Sequence, residues 1–242
     1  MAQLLQSSVR NRLLGAMSAK DFALLQPDLE AVPLKVRDVL VEPNKSIKYV
    51  HFMERGLASV IAESPGRESL EVAHVGCEGL TGSSLVNGVD RTPNKTFIQV
   101  AGSSFRLRAG DLTQAMEDSP SLHALLLRFM QTTLIQISHT ALANGRYTIH
   151  ERLARWLLMC HDRVDDDNLP LTHDFVSLML GVRRAGVTEA LHGLEGEGMI
   201  STSRGGIVVR DRAKLEAAAN GSYGVPEAEY ARLIAPAKVL VH

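Results

Sequence analysis

Between Val32 and Leu112, short apolar runs follow one another at close, regular spacing: KVRDVLV, KYVHFM, LASVIA, SLEVAHV, TFIQVA and SFRLRA. The segments EPN, ERG, SPG, GCEG, NGVDR and AGS punctuate them. Short strands with turn residues between them imply an antiparallel all-β sandwich or barrel. No other feature of the chain constrains its fold as strongly. Ahead of this region, residues 9–30 read as helix, with Ser18 as N-cap and Asp21 as its acidic partner in SAKDFALL.

The period then lengthens. SPSLHALLLRFMQTTLIQISHTALANGRY opens with Ser119 as N-cap and Pro120 at the first helical position, where a missing N–H costs nothing. Leu126, Met130, Thr133, Ile137, Thr140, Asn144 and Tyr147 alternate steps of four and three, a mostly apolar seam of heptad type. Such a seam belongs either to a core helix or to a helix that pairs with its own copy, and the pattern leaves both open; the first six residues are the candidate dimer contacts. ERLARWLLMCHDRV is amphipathic, with Leu153, Trp156, Leu157 and Cys160 on one face. DDDN and Pro170 end it. The acidic run reads as a solvated loop, and no metal site is expected.

Composition narrows the function classes. With 242 residues and 45% apolar content the chain can bury a real core, and 26 Lys+Arg against 27 Asp+Glu give no global attraction to nucleic acid or anionic membrane. Two cysteines, Cys77 and Cys160, fit a reducing compartment. No window reaches the roughly 18 apolar residues of a membrane span, and the start shows no long apolar leader. A cytoplasmic protein with no membrane partner is the expectation. No nucleophile elbow, phosphate loop or paired-histidine zinc motif points to an enzyme.

Residues 171–198, LTHDFVSLMLGVRRAGVTEALHGLEGEG, carry the chemistry. Thr172 caps a helix whose second position is Asp174, and Gly181 provides the left-handed residue that ends it. A second helix starts near Arg184. Ser177 sits where two crossing helices need a small side chain, and Val176, Leu180, Val182, Val187, Ala190 and Leu194 form the inner face. This is a helix-turn-helix pattern. With Val187 facing inward, Arg183, Arg184, Ala185, Thr188, Glu189 and His192 turn outward at the positions that enter a DNA major groove. An arginine fork there can pair with guanine O6 and N7. Thr172 and His173 belong to the same candidate set. The segment GMISTSRGGIVVRDRAKLEAA then reads as a strand–turn–strand wing followed by a helix, with Arg204 at the hairpin tip placed for a phosphate. Residues 171–214 hold six basic side chains (Arg183, Arg184, Arg204, Arg210, Arg212, Lys214) and five acidic ones (Asp174, Glu189, Glu195, Glu197, Asp211), a net of +1. Non-specific affinity should be small, so specific binding needs a dimer.

On these residues the chain resembles the Crp/Fnr family of bacterial transcription regulators over roughly residues 10–218. The resemblance implies an α+β protein: an N-terminal antiparallel β-roll, jelly-roll-like (1–117), a long dimerisation helix (118–147), a C-terminal winged helix-turn-helix (148–220) and an extension (221–242). It implies a homodimeric, sequence-specific regulator that binds double-stranded DNA, with RNA polymerase a candidate further partner. The alternative is a β-roll ligand- or protein-binding module with a vestigial DNA-binding domain. Arg184 matches the arginine the family commonly sets on guanine, whereas Glu189 stands where many members carry a second reading arginine, so the family's usual half-site is not carried over. In the matching sensor cassette Gly82 is followed by Ser83 in place of the ribose-binding glutamate. Gly82, Ser83, Ser84, Arg91 and Thr92 are the candidate effector pocket. The missing acceptor removes a charge-assisted bond of ~1.5–3 kcal/mol, so cyclic AMP is not expected, and an unidentified small effector stays open. Two cysteines cannot hold a four-thiolate cluster in one chain. His74 and Cys77, imaginable as haem ligands, read more simply as a strand-end histidine and a small buried thiol.

Overall fold

A computed structural model of the chain describes residues 4–66, 68–203 and 205–234, with Asp174 described by its backbone alone. Two short helices, α1 (Arg12–Ala16) and α2 (Ala19–Leu25), stand where a single helix was expected. Met17 and Ser18 are extended between them. Ser18 still caps α2, accepting from the Asp21 N–H at 3.1 Å.

Six strands follow: β1 (Glu30–Leu34), β2 (Val39–Val41), β3 (Tyr49–Glu63), β4 (Ser69–Val75), β5 (Leu80–Thr81) and β6 (Lys95–Arg108). They form one antiparallel sheet in the order β1-β6-β3-β4, with β2 on β6 and β5 on β3. The expected turns ERG and AGS are not turns. They lie inside β3 and β6, where Arg55 faces Ser103 and the register shifts on both sides. Glycine permits this bulge. A Cβ on Gly56 (φ 84) would lie 2.4 Å from the Val100 carbonyl oxygen, and one on Gly102 would lie 2.1 Å from that of Arg55. Two long bent strands therefore replace four short ones.

After α3 (Ala109–Asp118) comes α4 (Pro120–Arg146), a 27-residue helix opened by Ser119, whose Oγ accepts from the Leu122 N–H at 3.3 Å. It presents a different face from the one expected. Leu126 is fully buried against its own β-roll, and Thr140 Oγ1 accepts from Arg155 Nη2 at 3.2 Å, so these two members of the expected seam serve the chain's own interior. The open apolar stripe runs one residue later: Leu127, Leu134 and Leu142 are 44%, 56% and 48% exposed. Met130, Thr133, Ile137 and Asn144 flank it, half-buried. Leu127 and Leu134 are seven residues apart and Leu142 eight further, close enough to a heptad that periodicity alone cannot fix the phase.

The remainder comprises α5 (Ile149–His161), β7 (Asn168–Leu169), α6 (His173–Leu180), α7 (Arg184–Gly196), β8 (Ile200–Ser203), β9 (Gly206–Val209), α8 (Arg212–Ala218) and α9 (Val225–Ile234). A reciprocal capping box between Thr148 and Glu151 starts α5. Leu153, Trp156, Leu157 and Cys160 are buried with Val176, Val187, Leu191, Leu194, Ile200 and Ile207 in one core, which also takes in Leu57 and Ile61 of β3. The helix-turn-helix thus rests on the sheet. The last helix, α9, folds back along α4: Arg128 Nε donates to the Leu233 carbonyl at 3.0 Å, and the Tyr230 hydroxyl donates to the Glu78 carbonyl at 2.7 Å.

Candidate nucleic-acid interface

Thr172 begins α6, its Oγ1 accepting from the Phe175 N–H at 3.3 Å. Gly181 ends the helix at φ 61 and is held there for a second reason, since a Cβ would meet Leu70 Cδ1 of β4 at 2.7 Å. Arg152 of α5 donates to the Leu180 carbonyl, satisfying one orphan acceptor of the α6 terminus. Val187, buried completely, then fixes the rotation of α7.

That rotation leaves Arg184, Ala185, Glu189 and His192 exposed and Thr188 half-buried. These five residues line one open concave surface. Arg183 is the extended residue that precedes the helix, exposed beside this surface. His173 joins from α6, its Nδ1 3.4 Å from Thr188 Oγ1. Thr172 also belongs to the site by position, although its hydroxyl serves the cap. Arg204 lies outside the described residues. The wing is keyed to the recognition helix by Glu195, which accepts from the Thr202 N–H at 2.7 Å and from its hydroxyl at 3.1 Å. These bonds hold the Glu195 carboxyl below its usual range.

Gly186 and Gly193, seven residues apart on one side of α7, face the first turn of α5. A Cβ on Gly186 would lie 3.1 Å from Ile149 Cδ1, and one on Gly193 would lie 3.2 Å from His150 Nδ1. Glycine in the recognition helix therefore serves helix packing inside the chain.

Sequence reasoning missed the polar junction behind this helix pair. Glu71 of β4, buried, accepts from the Trp156 indole N–H at 2.6 Å and contacts His74 Nε2. Gln136 Oε1 of α4 accepts from the His74 backbone N–H at 2.7 Å. Arg155, also buried, donates to the Ser222 carbonyl at 3.1 Å. Beside them Arg163 Nε donates to Glu78 at 2.7 Å. Burial opposes the Arg163 charge, but Glu78 outweighs it and holds the guanidinium pKa above its ordinary value. The only sequence signal for this junction was a pair of titratable residues, Glu71 and His74, inside an otherwise apolar strand pattern. His74 and Cys77 are both buried, and burial raises the pKa of Cys77.

The candidate effector residues are placed by local turns. Gly82 (φ 75) is the left-handed turn before Ser83–Asn87. Ser83 and Ser84 are half-buried, and Thr92 Oγ1 accepts from the Asn94 N–H at 3.2 Å. Arg91 is exposed and turned to Asp90, with Nε 3.0 Å from Oδ1. A cavity of about 230 Å³ is lined by other residues altogether, among them His74, Thr133, Arg163 and Tyr230.

Residues 151–218 match the Crp-like helix-turn-helix domain. No curated protein sequence matches the chain. Solved structures share its fold. A transcriptional regulator of the Crp/Fnr family from Eubacterium rectale is 16% identical with a TM-score of 0.68, over 86% of this chain and 98% of that one. FixK2 from Bradyrhizobium japonicum is 17% identical with a TM-score of 0.68, over 78% and 96%. A CRP-family transcriptional regulator from Thermus thermophilus is 19% identical with a TM-score of 0.64, over 79% and 97%.

Proposed function

We propose that this chain is a transcription regulator of the Crp/Fnr type that binds double-stranded DNA sequence-specifically as a homodimer, reading bases with α7. The observation that carries the reading is the shared concave surface of Arg184, Ala185, Thr188, Glu189 and His192 on the exposed face of that helix. Arg184 reads guanine, Thr188 meets a thymine methyl or a phosphate, and Glu189 accepts from cytosine N4. A net charge of +1 over residues 171–214 supplies little sequence-independent affinity, so one domain alone binds weakly. Pairing through α4 supports the second half-site. The helix is about 40 Å long, and burying Leu127, Leu134 and Leu142 in a two-fold contact stabilises the pair by roughly 1.5–3 kcal/mol for each fully covered side chain.

Selection of bound duplexes from random DNA tests the reading. A two-fold-related motif is expected, and Arg184→Ala should weaken binding by about 5- to 150-fold and relax the preference at one position per half-site. Leu134→Glu should give a monomer in sedimentation velocity and lose the two-fold site. Selection that returns no motif, or Arg184→Ala binding the selected site as tightly as the parent, would overturn the proposal.

A further inference from the structure

The cavity of about 230 Å³ lies where α1, the β-roll, α4, the end of α5 and the C-terminal segment meet. Arg12 comes from α1, His74 and Glu78 from the β-roll, and Phe129, Thr132, Thr133 and Gln136 from α4; Asp162 and Arg163 follow α5, and Tyr223, Pro226, Glu227 and Tyr230 belong to the C-terminal segment. Its polar lining is mostly committed within the chain. Arg163 takes Glu78, and Asp162 takes Arg212 at 2.7 Å and the Tyr223 hydroxyl at 2.7 Å. Other atoms have no hydrogen bond or salt bridge among the described residues, Gln136 Nε2 included. The Arg12 guanidinium has no hydrogen bond or ion pair among the described residues. Glu227 accepts the Gly224 N–H at 3.0 Å and supports the charges of Arg155 and Arg163, with no salt bridge to either among the described residues. His74, whose side chain is 1% exposed, keeps a buried Nδ1 without a partner. Natural proteins seldom leave such an atom unsatisfied unless water or a ligand meets it.

Without a salt bridge in this lining are thus one cation, Arg12, and one anion, Glu227, beside the apolar wall of Phe129 and Pro226. A singly charged ligand leaves one of the two ions unmatched, and a zwitterion matches both. Size selects further. The volume falls below the ~300–1,000 Å³ of pockets for drug-sized ligands, which suits a ligand the size of a free amino acid. We propose that this cavity binds a free amino acid or a zwitterion of that size, its carboxylate on Arg12, its ammonium on Glu227, and its side chain against Phe129. Such a ligand touches the β-roll, the long helix and the DNA-binding half together. That it acts as the regulator's effector rests on the function proposed above, whereas its binding does not.

Trp156, the only tryptophan, packs edge-on to His74 with ring centroids 5.7 Å apart and reports on the site without DNA. The experiment titrates the full chain with each of the twenty L-amino acids in turn, following Trp156 emission and binding heat. At least one should give a saturable change in both, and its decarboxylated and deaminated counterparts should bind at least tenfold more weakly. Arg12→Gln and Glu227→Gln should each reduce affinity tenfold or more, and Thr133→Leu, which narrows the cavity and leaves both charges in place, should abolish it, all with an unchanged circular dichroism spectrum. The proposal is overturned when no amino acid binds, when the decarboxylated amine binds as well as its parent, or when binding survives all three substitutions. Ligand binding with no DNA selectivity would count against the regulator and leave the site standing; the converse would do the reverse.

Discussion

Gly186→Ala isolates what a glycine does in the first turn of a reading helix. Alanine is worth roughly 0.5–1 kcal/mol more than glycine inside a helix. Against this gain stands the 3.1 Å approach to Ile149 Cδ1, a few tenths of an ångström inside ordinary contact. The terminal methyl has to rotate away, and a side chain about 30° off its rotamer costs on the order of 0.5–1.5 kcal/mol. Gain and cost overlap, so the single substitution should change stability by between about +0.5 and −1 kcal/mol by those two figures. Ile149→Val deletes the obstructing methyl at its own cost of about 0.5–1.5 kcal/mol. On that background alanine should deliver its full helical gain, a coupling between the sites equal to the relieved cost of about 0.5–1.5 kcal/mol. Urea unfolding of the four proteins, followed by Trp156 fluorescence and circular dichroism, measures the cycle. Equal effects of alanine on both backgrounds would refute the packing role. Lost DNA affinity at unchanged stability would instead assign the glycine to a close approach by the duplex.

Three further outcomes follow from buried groups. Glu78→Ala strands the buried Arg163 guanidinium and should lower stability by about 3–5 kcal/mol in the same urea assay, whereas an effect under ~1 kcal/mol would mean that water reaches the pair. His51, buried and hydrogen-bonded at 3.0 Å to Ser104, has its pKa lowered to about 4 by burial and by the charge of Arg106. The unfolded chain therefore binds the extra proton between pH 6.5 and 4. Stability should fall by roughly 3 kcal/mol as pH drops through that window, and His51→Asn should flatten the slope, a result that an unchanged slope would contradict. Cys160 is buried and its pKa is raised well above the ordinary thiol value by that burial, so maleimide labelling of it should require unfolding; rapid labelling of the native protein would show that the core around it opens.

What the sequence disclosed divides by the range of the interactions involved. The helix-turn-helix was legible because Thr172, Gly181 and Val187 act locally: a cap, a left-handed residue and an inward apolar side chain fix two helices within sixteen residues. Ser119 with Pro120 fixed the start of α4 for the same reason. Features that depend on a partner elsewhere in the chain were not legible. Gly56 and Gly102 carry the local signature of turns, and only their opposition across β3 and β6 makes them a bulge. The seam of α4 has two near-heptad phases of comparable apolarity, and contact with the β-roll chooses between them. Gly186 has its reason in Ile149, a residue of another helix. The polar junction of Glu71, His74, Gln136 and Arg155 assembles residues from three elements and leaves no spacing to read.

The return of α9 along α4 alters the mechanics of the molecule. With only the joint at Arg146–Ile149 and the packing of its core on the sheet, the DNA-binding half would be held along one side. A further attachment, through Tyr230 to Glu78 and Leu233 to Arg128, closes the chain into a braced triangle. A triangle does not swing; it changes shape only when one side lengthens or a corner lets go. Removing α9 should therefore loosen the hold of the β-roll and α4 on the C-terminal half of the chain.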